Sequence, residues 1–319
     1  MVRAIAIGAA LLAAVDPGYW TALRQVDGRM ATVAYRLATG NAALCRDLQP
    51  VPGVQLHAID QYGRDAQGGA RAAFGFANPV QIESVVPDSP AARAGVQADD
   101  ALVAVDGEPV PAPSGAGDTS ATRDAANALI SRQPAAAPLR LTLERGAVRR
   151  TVTLAPSPGC RSAFEVLLGP GLKASSDGRV VQVGAAWFER LDDEAIAAIV
   201  AHELSHTILR HRARLEAAGV KWGLAGEFGR NARLFAQTEA DADRLSVHLL
   251  RNAGYDPQAA VRFWRGPGAK LDGGPFRSRT HPSSKARADA IAAEVATLPP
   301  VGQPDLSPSV LATRDQPLT

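Results

Sequence analysis

The chain has 319 residues, of which 46% are hydrophobic and 21% are charged. This is the composition of an ordinary globular protein with about two domains, and it excludes a disordered chain, a collagen-like repeat and a disulfide-dense miniprotein. The formal net charge is only +2, so the charge balance does not indicate a nucleic-acid partner.

The chain begins with a short basic head and an apolar run. Arg3 precedes 12 consecutive apolar residues, 4–15. A membrane span needs about 20 such residues, so the run is predicted to be a secretory signal; a buried first helix and an uncleaved membrane tether are the alternatives. Export would place the protein in the periplasm or cell envelope. Membrane association would then come through this segment only.

The following 140 or so residues change from a helical to a β-like pattern. Apolar residues at helical spacing predict a helix within Asp27–Ala43, and the alternation in Val54–Ile59 predicts a strand. Between Phe74 and Leu154, short β-like runs are separated by turns. Strands are predicted at Val80–Val86, Ala101–Val105, Leu139–Glu144 and Val148–Leu154, and helices at Pro90–Ala94 and Asp124–Ser131.

The β-like region resembles a PDZ domain of the kind associated with bacterial proteases, over roughly residues 70–157. The residues that carry the resemblance are Phe74-Gly75-Phe76, the block from Val86 to Val96 and Val105-Asp106-Gly107. The resemblance implies that backbone N–H groups around Phe74, Gly75 and Phe76 capture a C-terminal carboxylate, with the peptide adding as a strand beside them. The alternative is a PDZ-like module that shields an active site and binds nothing.

The two cysteines of the chain, Cys45 and Cys160, flank this module. A compact module has its ends close together and therefore tolerates insertion into a host domain. A host domain interrupted at this point would bring the two sulfurs together, so we predict a disulfide at the neck of the insertion. In the chain-entropy model, closing so long a loop stabilises the fold by up to about 4–5 kcal/mol.

After Cys160, the pattern predicts one strand, two helices and a tail. Arg179–Val183 is predicted to be a strand. The two helices are expected over Asp192–Ala218 and Ala232–Ala253. The Pro-rich, aperiodic residues 300–319 are predicted to be disordered.

The first of these helices contains His202-Glu203-Leu204-Ser205-His206. Residues four apart on a helix project from one face, so both imidazoles can reach one zinc ion at about 2.0–2.1 Å. Glu203 would lie beside the metal without binding it, where it can deprotonate a zinc-bound water. The alternative is a pair of surface histidines on a solvated helix.

Such a site needs a third protein ligand, with water in the fourth position. His211 is predicted to point about 140° away from His206 around the helix, and so to be a surface or packing residue. Glu239 and Asp243 share a face of the second helix. Glu239 can be the ligand, and Asp243 can hold the distal N–H of a ligating histidine. The histidines expected to be structural are His57 and His248.

Together, HELSH and the downstream Glu239-x-x-Ala242-Asp243 resemble peptidase family M48, the HtpX/Oma-type zinc gluzincins. Further matching residues are Leu191–Ala201, Gly254–Ala260 and Thr280-His281-Pro282-Ser283-Ser284-x-x-Arg287. The likeness covers about 160–298 and extends to the helix around 27–45. It implies one Zn²⁺ per chain, held by His202, His206 and Glu239, with Glu203 as general base.

The family likeness also places His281 and Arg287 near the site. His281 would act on the transition state or, alternatively, form a helix-capping His-Pro corner. A scissile peptide would bind as an additional strand along an exposed sheet edge. Val180–Val183 is the predicted edge.

These observations predict an α+β fold: a mainly helical zinc-metallopeptidase domain with a small β-sheet, interrupted by a PDZ-like β-barrel or sandwich. The predicted divisions are an apolar segment 1–15, an N-terminal helical part of the peptidase 22–66, PDZ 67–157, peptidase 158–299 and tail 300–319. The predicted function is zinc-dependent hydrolysis of protein substrates in cell-envelope quality control or processing, with the PDZ module recruiting or gating substrates. The competing hypothesis is a PDZ-based adaptor or chaperone with a catalytically silent, metal-stabilised domain.

Overall fold

The structure is a computed structural model that describes residues 17–113, 117–221, 228–272, 282–300 and 303–318. The apolar run 1–15 and His281 lie outside the described residues. The chain divides into two compact units: one comprises the chain up to Tyr35 with Leu48–Gly159, and the other Arg36–Asp47 with Cys160–Thr319. No helix in the described part of the chain is long and apolar enough to cross a membrane.

The first unit is built on an open sheet with the strand order β2-β3-β4-β6-β7, to which β5 adds on β4. A separate two-stranded ladder joins β1 to β8. In chain order, the elements are α1 (Pro17–Gly40), β1 (Leu48–Val51), β2 (Val54–Ala58), α2 (Gln67–Phe74), β3 (Val80–Val85), α3 (Pro90–Arg93), β4 (Ala101–Val105), β5 (Glu108–Pro109), α4 (Ala121–Ser131), β6 (Leu139–Arg145), β7 (Val148–Leu154) and β8 (Ser157–Cys160).

Alternation along the strands explains why this sheet has a core. One face presents large apolar side chains that are fully buried against α4, among them Leu56, Ile82, Leu102, Leu141 and Leu143. Each such side chain stabilises the fold by about 1.5–3 kcal/mol relative to its exposed state. The strands and helices predicted between residues 74 and 154 are confirmed, and the sheet is open rather than a closed barrel.

An aromatic cluster forms a second core in this unit. The Trp20 and Phe74 ring centroids are 5.5 Å apart, and those of His57 and Phe76 are 4.5 Å apart. His57 Nδ1 lies 2.9 Å from the Tyr62 hydroxyl. Burial lowers the pKa of His57 to about 3, so the ring is neutral and structural, as expected.

The boundary of the first unit differs from the boundary that the sequence predicts for the inserted module. The sequence predicts that residues 48–66 belong to the peptidase, but β2 is a strand of the first unit's sheet because it pairs antiparallel with β3, with Leu56 opposite Ile82. The first part of α1 also belongs to this unit. Arg24 on α1 forms an ion pair with Asp99 at 2.5 Å.

The second unit contains a small sheet and most of the helices. The strand order is β10-β11-β9, with β11 antiparallel to β10 and parallel to β9. In chain order, its further elements are β9 (Ala163–Leu167), β10 (Ala174–Ser176), β11 (Val180–Gly184), α5 (Ala185–Phe188), α6 (Asp193–Ile208), α7 (His211–Ala217), α8 (Gly229–Asn252), α9 (Gln258–Arg265) and α10 (Ser284–Val295).

The predicted helix 192–218 is two helices. It begins as expected, because the Asp192 carboxylate accepts the Ala195 N–H at 2.9 Å. After α6 ends, Arg210 adopts a left-handed conformation with φ of 56°, and α7 starts in a new direction. The periodicity carried no sign of this break because neither Gly nor Pro occurs there.

The disulfide joins Cys45 to Cys160, with Cα atoms 5.4 Å apart, and both cysteines belong to the second unit. The segment before Cys45 packs on the C-terminal end of α8. The Arg36 guanidinium donates to the Ala253 carbonyl, and the Asn41 amide donates to the Leu249 carbonyl at 3.0 Å. The observed pairing is the one that the flanking positions of the cysteines predicted.

The expectation of a disordered tail is wrong for residues 303–318. This segment contains a 3-10 helix, Ser309–Thr313, and its Val310 and Leu318 side chains are buried. Leu318 packs in a cluster with Leu215 and Leu234. These two isolated apolar residues leave no periodic pattern in the sequence. Hydrogen bonds from Arg214 to the Gln316 carbonyl and from Arg244 to Ser309 Oγ also hold the segment against α7 and α8.

Candidate metal centre and cleft

Side chains from α6 and α8 form a candidate metal centre. His202, His206 and Glu239 place ligand atoms within 4.8 Å of one another. The two histidine Nε2 atoms are 3.2 Å apart, and Glu239 oxygens lie 3.3 Å from His202 Nε2 and 3.5 Å from His206 Nε2. Donors at about 2.0–2.1 Å from a tetrahedral zinc lie about 3.3 Å from one another. The donor set therefore fits zinc with one position left open.

Asp243 and Arg287 hold His202 in place. His202 Nδ1 lies 3.0 Å from Asp243 Oδ1. Arg287 on α10 donates to both Asp243 oxygens, at 2.6 and 2.7 Å, and its guanidinium lies 3.7 Å from the centroid of the Trp264 ring. Although burial opposes it, Arg287 and the hydrogen-bonded His202 hold the pKa of Asp243 below its ordinary value. The carboxylate thus orients His202 with Nε2 toward the site.

The electrostatics of the centre favour a cation. Burial lowers the pKa of His202, but hydrogen bonds to Asp243 and Glu239 outweigh burial and raise it to about 10. Burial also opposes ionisation of Glu239, yet its contacts with His202 and His206 hold its pKa well below the ordinary value. The carboxylates therefore stabilise positive charge at the position where the three donors converge.

Glu203 lies next to the donors on α6 and lines the adjoining cavity. Its side chain is buried, with 9% of the residue exposed. Burial raises the pKa of Glu203 to about 7, although the neighbouring His202 acts in the opposite direction. A carboxyl group with this pKa can accept and return a proton near neutral pH.

The cavity beside the donors has a volume of about 590 Å³. Its walls are largely apolar and aromatic, as is usual for sites that bind organic ligands. The side chains that form this surface include Leu172, Trp187, Leu215, Phe235, Phe263 and Trp264.

The exposed edge along the cavity is β10, not the predicted Val180–Val183. That segment is β11, which is paired on both sides, with β10 and with β9. Ala174, Ser175 and Ser176 of β10 line the cavity instead. Ser176 Oγ lies 3.0 Å from Thr207 Oγ1 on α6, so a hydrogen bond fixes the edge strand relative to the histidine-bearing helix.

His211 lies in the centre rather than pointing away from it. Its Nδ1 is 2.9 Å from Nδ1 of His206, and only 1% of the residue is exposed. The prediction of a 140° offset assumed a continuous helix, and the left-handed Arg210 invalidates that assumption. Burial, more than the neighbouring His206 and Arg214, holds the pKa of His211 well below its ordinary value.

The predicted peptide-binding segment Phe74-Gly75-Phe76 is not beside a free strand edge, and that expectation is corrected. Phe74 ends α2, and Gly75 is its left-handed cap, whose N–H donates to the Arg71 carbonyl. Both phenylalanine rings are buried in the aromatic cluster. The strand that follows, β3, is paired with β2 and β4. A peptide cannot add to a strand that is already paired on both sides.

Asp241 and His248 are not part of the converging donor set. His248 is buried and structural, because its Nδ1 lies 2.9 Å from Asp305 and its Nε2 3.1 Å from Glu294. His281 cannot be placed, since it lies outside the described residues.

Comparisons with known proteins agree with this organisation. The profile of peptidase family M48 matches residues 215–295, and that of the PDZ domain matches residues 81–145. The M48 match contains Glu239, Asp243 and Arg287, and begins downstream of the two histidines. Comparison with curated proteins gave no match.

A solved structure of the HtrA3 PDZ domain bound to a phage-derived ligand, FGRWV, is similar to part of this chain. The identity is 22%, with 35% of this chain and 88% of that chain covered, and the TM-score is 0.25. Residues 215–295, which include Glu239 of the converging donors, therefore match peptidase family M48, and residues 81–145 match a PDZ domain.

Proposed function

We propose that this protein is a zinc-dependent metalloendopeptidase that cleaves protein substrates in its cavity. One observation carries the proposal: two imidazole nitrogens and a carboxylate converge at the spacing of a tetrahedral zinc, with the buried Glu203 beside them. When bound, the zinc would lower the pKa of a coordinated water to about 7 and polarise the scissile carbonyl.

The chain's own residues would perform the remaining steps. Glu203 would accept a proton from the attacking water and return it to the leaving amine, because it is buried beside the donor set. Asp243 keeps His202 in one orientation through the Nδ1 contact. The substrate backbone lies along the edge of β10 as an added strand, because that edge borders the cavity.

The substrate side chains that enter the cavity are proposed to be apolar. The apolar part of the lining, which includes Leu172, Phe235 and Phe263, offers no hydrogen-bond partners to a polar side chain, and a polar group buried without partners costs free energy. Leu or Phe next to the cleaved bond should therefore be favoured over Asp or Glu.

The PDZ domain is proposed to bind extended peptide segments at the free edge of β2. This strand is outermost in its sheet, and α4 packs beside it. Gln61 Oε1 already accepts the Ala58 N–H at 2.8 Å, and the Asp60 carbonyl accepts the Thr119 N–H. The accessible part of the edge is therefore Val54–Leu56.

A peptide running antiparallel to β2 would have its C-terminus near residues 50–53. Pro50 and Pro52 have no N–H, so this stretch has few donors for a carboxylate. We therefore expect a free C-terminus to add little to affinity. Titration of matched peptides that end in an acid or an amide tests this, and a tenfold preference for the acid would contradict it.

A cell-envelope location is proposed from the N-terminal basic head and apolar run and supported by the disulfide, which persists in oxidising compartments. A role in protein quality control or processing would suit a peptidase with a peptide-binding module. Fractionation of cells with alkylation of free thiols before lysis tests the location. Recovery of the protein in the cytoplasm with both thiols free would contradict it.

The central experiment compares the wild type with Glu203→Gln, which retains the size of the side chain and removes the base. An unfolded protein is the substrate, and new termini are identified by mass spectrometry. We expect both proteins to bind one zinc and the variant to lose about 10²–10⁴-fold in rate. Equal turnover would contradict the assignment. Absence of turnover in the wild type, with zinc bound, would favour the adaptor hypothesis.

A further inference from the structure

The two nitrogens of His206 face different partners. Nε2 lies 3.2 Å from Nε2 of His202, within the donor set. Nδ1 lies 2.9 Å from Nδ1 of His211. When Nε2 binds a metal ion, the neutral ring carries its hydrogen on Nδ1. The hydrogen then points at His211.

We propose that His211 is the positioning residue of His206: its Nδ1 accepts the His206 Nδ1–H and fixes the direction of Nε2. His211 would do for His206 what Asp243 does for His202. This inference rests on the zinc site of the proposed function.

A break in the backbone creates this contact. Positions five apart on a continuous helix point in different directions, but Arg210 has φ of 56° and α7 turns His211 back onto His206. A non-glycine residue in this conformation carries a free-energy cost. The cost is offset by contacts that hold α7 in place.

Contacts away from the donor set hold α7. Arg214 Nε donates to the Gln316 carbonyl at 3.1 Å. Leu215 packs against Leu234 and Leu318. His211 is therefore placed by the fold before any metal binds, which is the requirement for an orienting group.

The chemistry of the acceptor matters as well. A second carboxylate would add another negative charge to a centre that already contains Glu239 and Asp243. A neutral imidazole orients the ligand without that charge. With Nδ1 as the acceptor, the hydrogen of the neutral His211 ring is on Nε2, which is buried and has no hydrogen-bond partner within the described residues.

Two substitutions separate orientation from packing. In His211→Asn, the side-chain oxygen can occupy the place of Nδ1 and accept the same hydrogen, whereas His211→Leu fills the space without an acceptor. We expect zinc to bind about 10–100-fold more weakly to the Leu variant and within about threefold of wild type to the Asn variant. Competition with a chromophoric chelator measures both, and Glu216→Gln on the exposed side of α7 is the control.

Two further measurements keep the test independent of activity and folding. Thermal melting of the metal-free proteins should be similar for the Asn and Leu variants, so a lost affinity is not a lost fold. In zinc-loaded wild type with ¹⁵N-labelled histidine, the nitrogen spectrum should show His206 protonated and His211 unprotonated at Nδ1; if the Leu variant fails to fold, this measurement decides alone.

The proposal is overturned if wild type and His211→Leu bind zinc equally, if the Asn and Leu variants are weakened alike, or if His211 Nδ1 is protonated in the zinc-loaded protein. A wild type that binds no zinc overturns the proposed function and this inference with it. A wild type that binds zinc, with an unaffected Leu variant, overturns only the role of His211.

Discussion

Each unit of this protein contains a buried cluster of ionisable groups, and the two clusters are organised differently. In the peptidase unit, Arg287 pairs with Asp243, and Asp243 pairs with His202. The three metal donors line a cavity. In the PDZ unit, the carboxyl groups of Asp27 on α1 and Glu83 on β3 hydrogen-bond each other. Buried charge alone therefore does not identify a functional site.

The PDZ-unit cluster is less completely satisfied. Glu83 Oε1, His57 Nε2 and Ser84 Oγ are buried without hydrogen-bond partners in the part of the chain that the structure describes. Burial raises the pKa of Asp27 to about 6 and, with the nearby Asp27, that of Glu83 well above its ordinary value. This cluster favours protons, whereas the peptidase cluster favours a cation shared by several donors. The following predictions test that contrast, from the largest effect to the smallest.

The largest effect is expected from His206→Ala. Removing one of three donors leaves two, which is insufficient for a closed zinc site. Zinc content should fall from one per chain to near zero, and peptidase activity should fall to background. Metal analysis after gel filtration measures the first quantity. His57→Phe in the PDZ unit is the matched control, and an equal loss of zinc there would contradict the contrast.

A large loss of stability is expected from Arg287→Met. The substitution leaves Asp243 charged and buried without its bidentate partner. Breaking a buried ion pair in this way costs about 3–5 kcal/mol. Urea denaturation of the metal-free protein measures it. A change below about 1 kcal/mol would mean that Arg287 does not hold the carboxylate.

The PDZ-unit pair predicts a specific pH dependence. The pKa of Asp27 is higher in the folded than in the unfolded state, so the folded state binds protons more tightly. The stability that protonated Asp27 contributes is therefore fully present below about pH 4 and is lost as pH rises through about 6. A difference of one between the folded-state and unfolded-state pKa values corresponds to about 1.4 kcal/mol in the free energy of unfolding.

Chemical denaturation of the PDZ unit between pH 4 and 7 measures the slope of its unfolding free energy against pH. Asp27→Asn should flatten it, because an amide can donate to Glu83 at every pH. Asp65→Asn, which alters an exposed carboxylate in the same unit, should leave it unchanged. Other groups around the pair are Arg24, Tyr19, His57, Tyr62 and Arg123. If Asp27→Asn keeps the wild-type slope, the pH dependence of stability comes from these other groups and not from Asp27.

The smallest effect is expected from Thr207→Val, which removes the hydrogen bond between α6 and the edge strand β10. The loss in stability should be about 0.5–1.5 kcal/mol. If β10 binds the substrate backbone, KM should rise more than kcat falls. A change confined to kcat would contradict that role of the strand.

The sequence predicted the centre better than its surroundings, for a physical reason. Helical spacing relates His202 to His206 and Glu239 to Asp243 whatever the rest of the fold does. The position of His211 depends on the left-handed conformation of Arg210. The sequence did not predict this conformation, because neither Gly nor Pro occurs there. The resemblance to a PDZ domain also implied that Phe74-Gly75-Phe76 binds peptides, but strand pairing is decided by residues distant in the sequence.

Short or isolated signals were missed for a related reason. β10 has three residues, too few for alternation to be recognised, so the longer β11 was taken for the exposed edge. Val310 and Leu318 are buried although neither belongs to a repeating pattern in the sequence. Such contacts become visible only when the partners are assembled in three dimensions.

The link between Cys45 and Cys160 spans 115 positions, and the PDZ sheet lies inside that span. A protease that nicks a loop of the sheet therefore yields two pieces that stay attached. On a gel the nicked protein would migrate as one band without reductant and as two bands with it. Cleavage within the inserted domain would thus leave the N-terminal piece, which includes Arg36–Asp47 of the second unit, covalently joined to the piece that contains the metal donors.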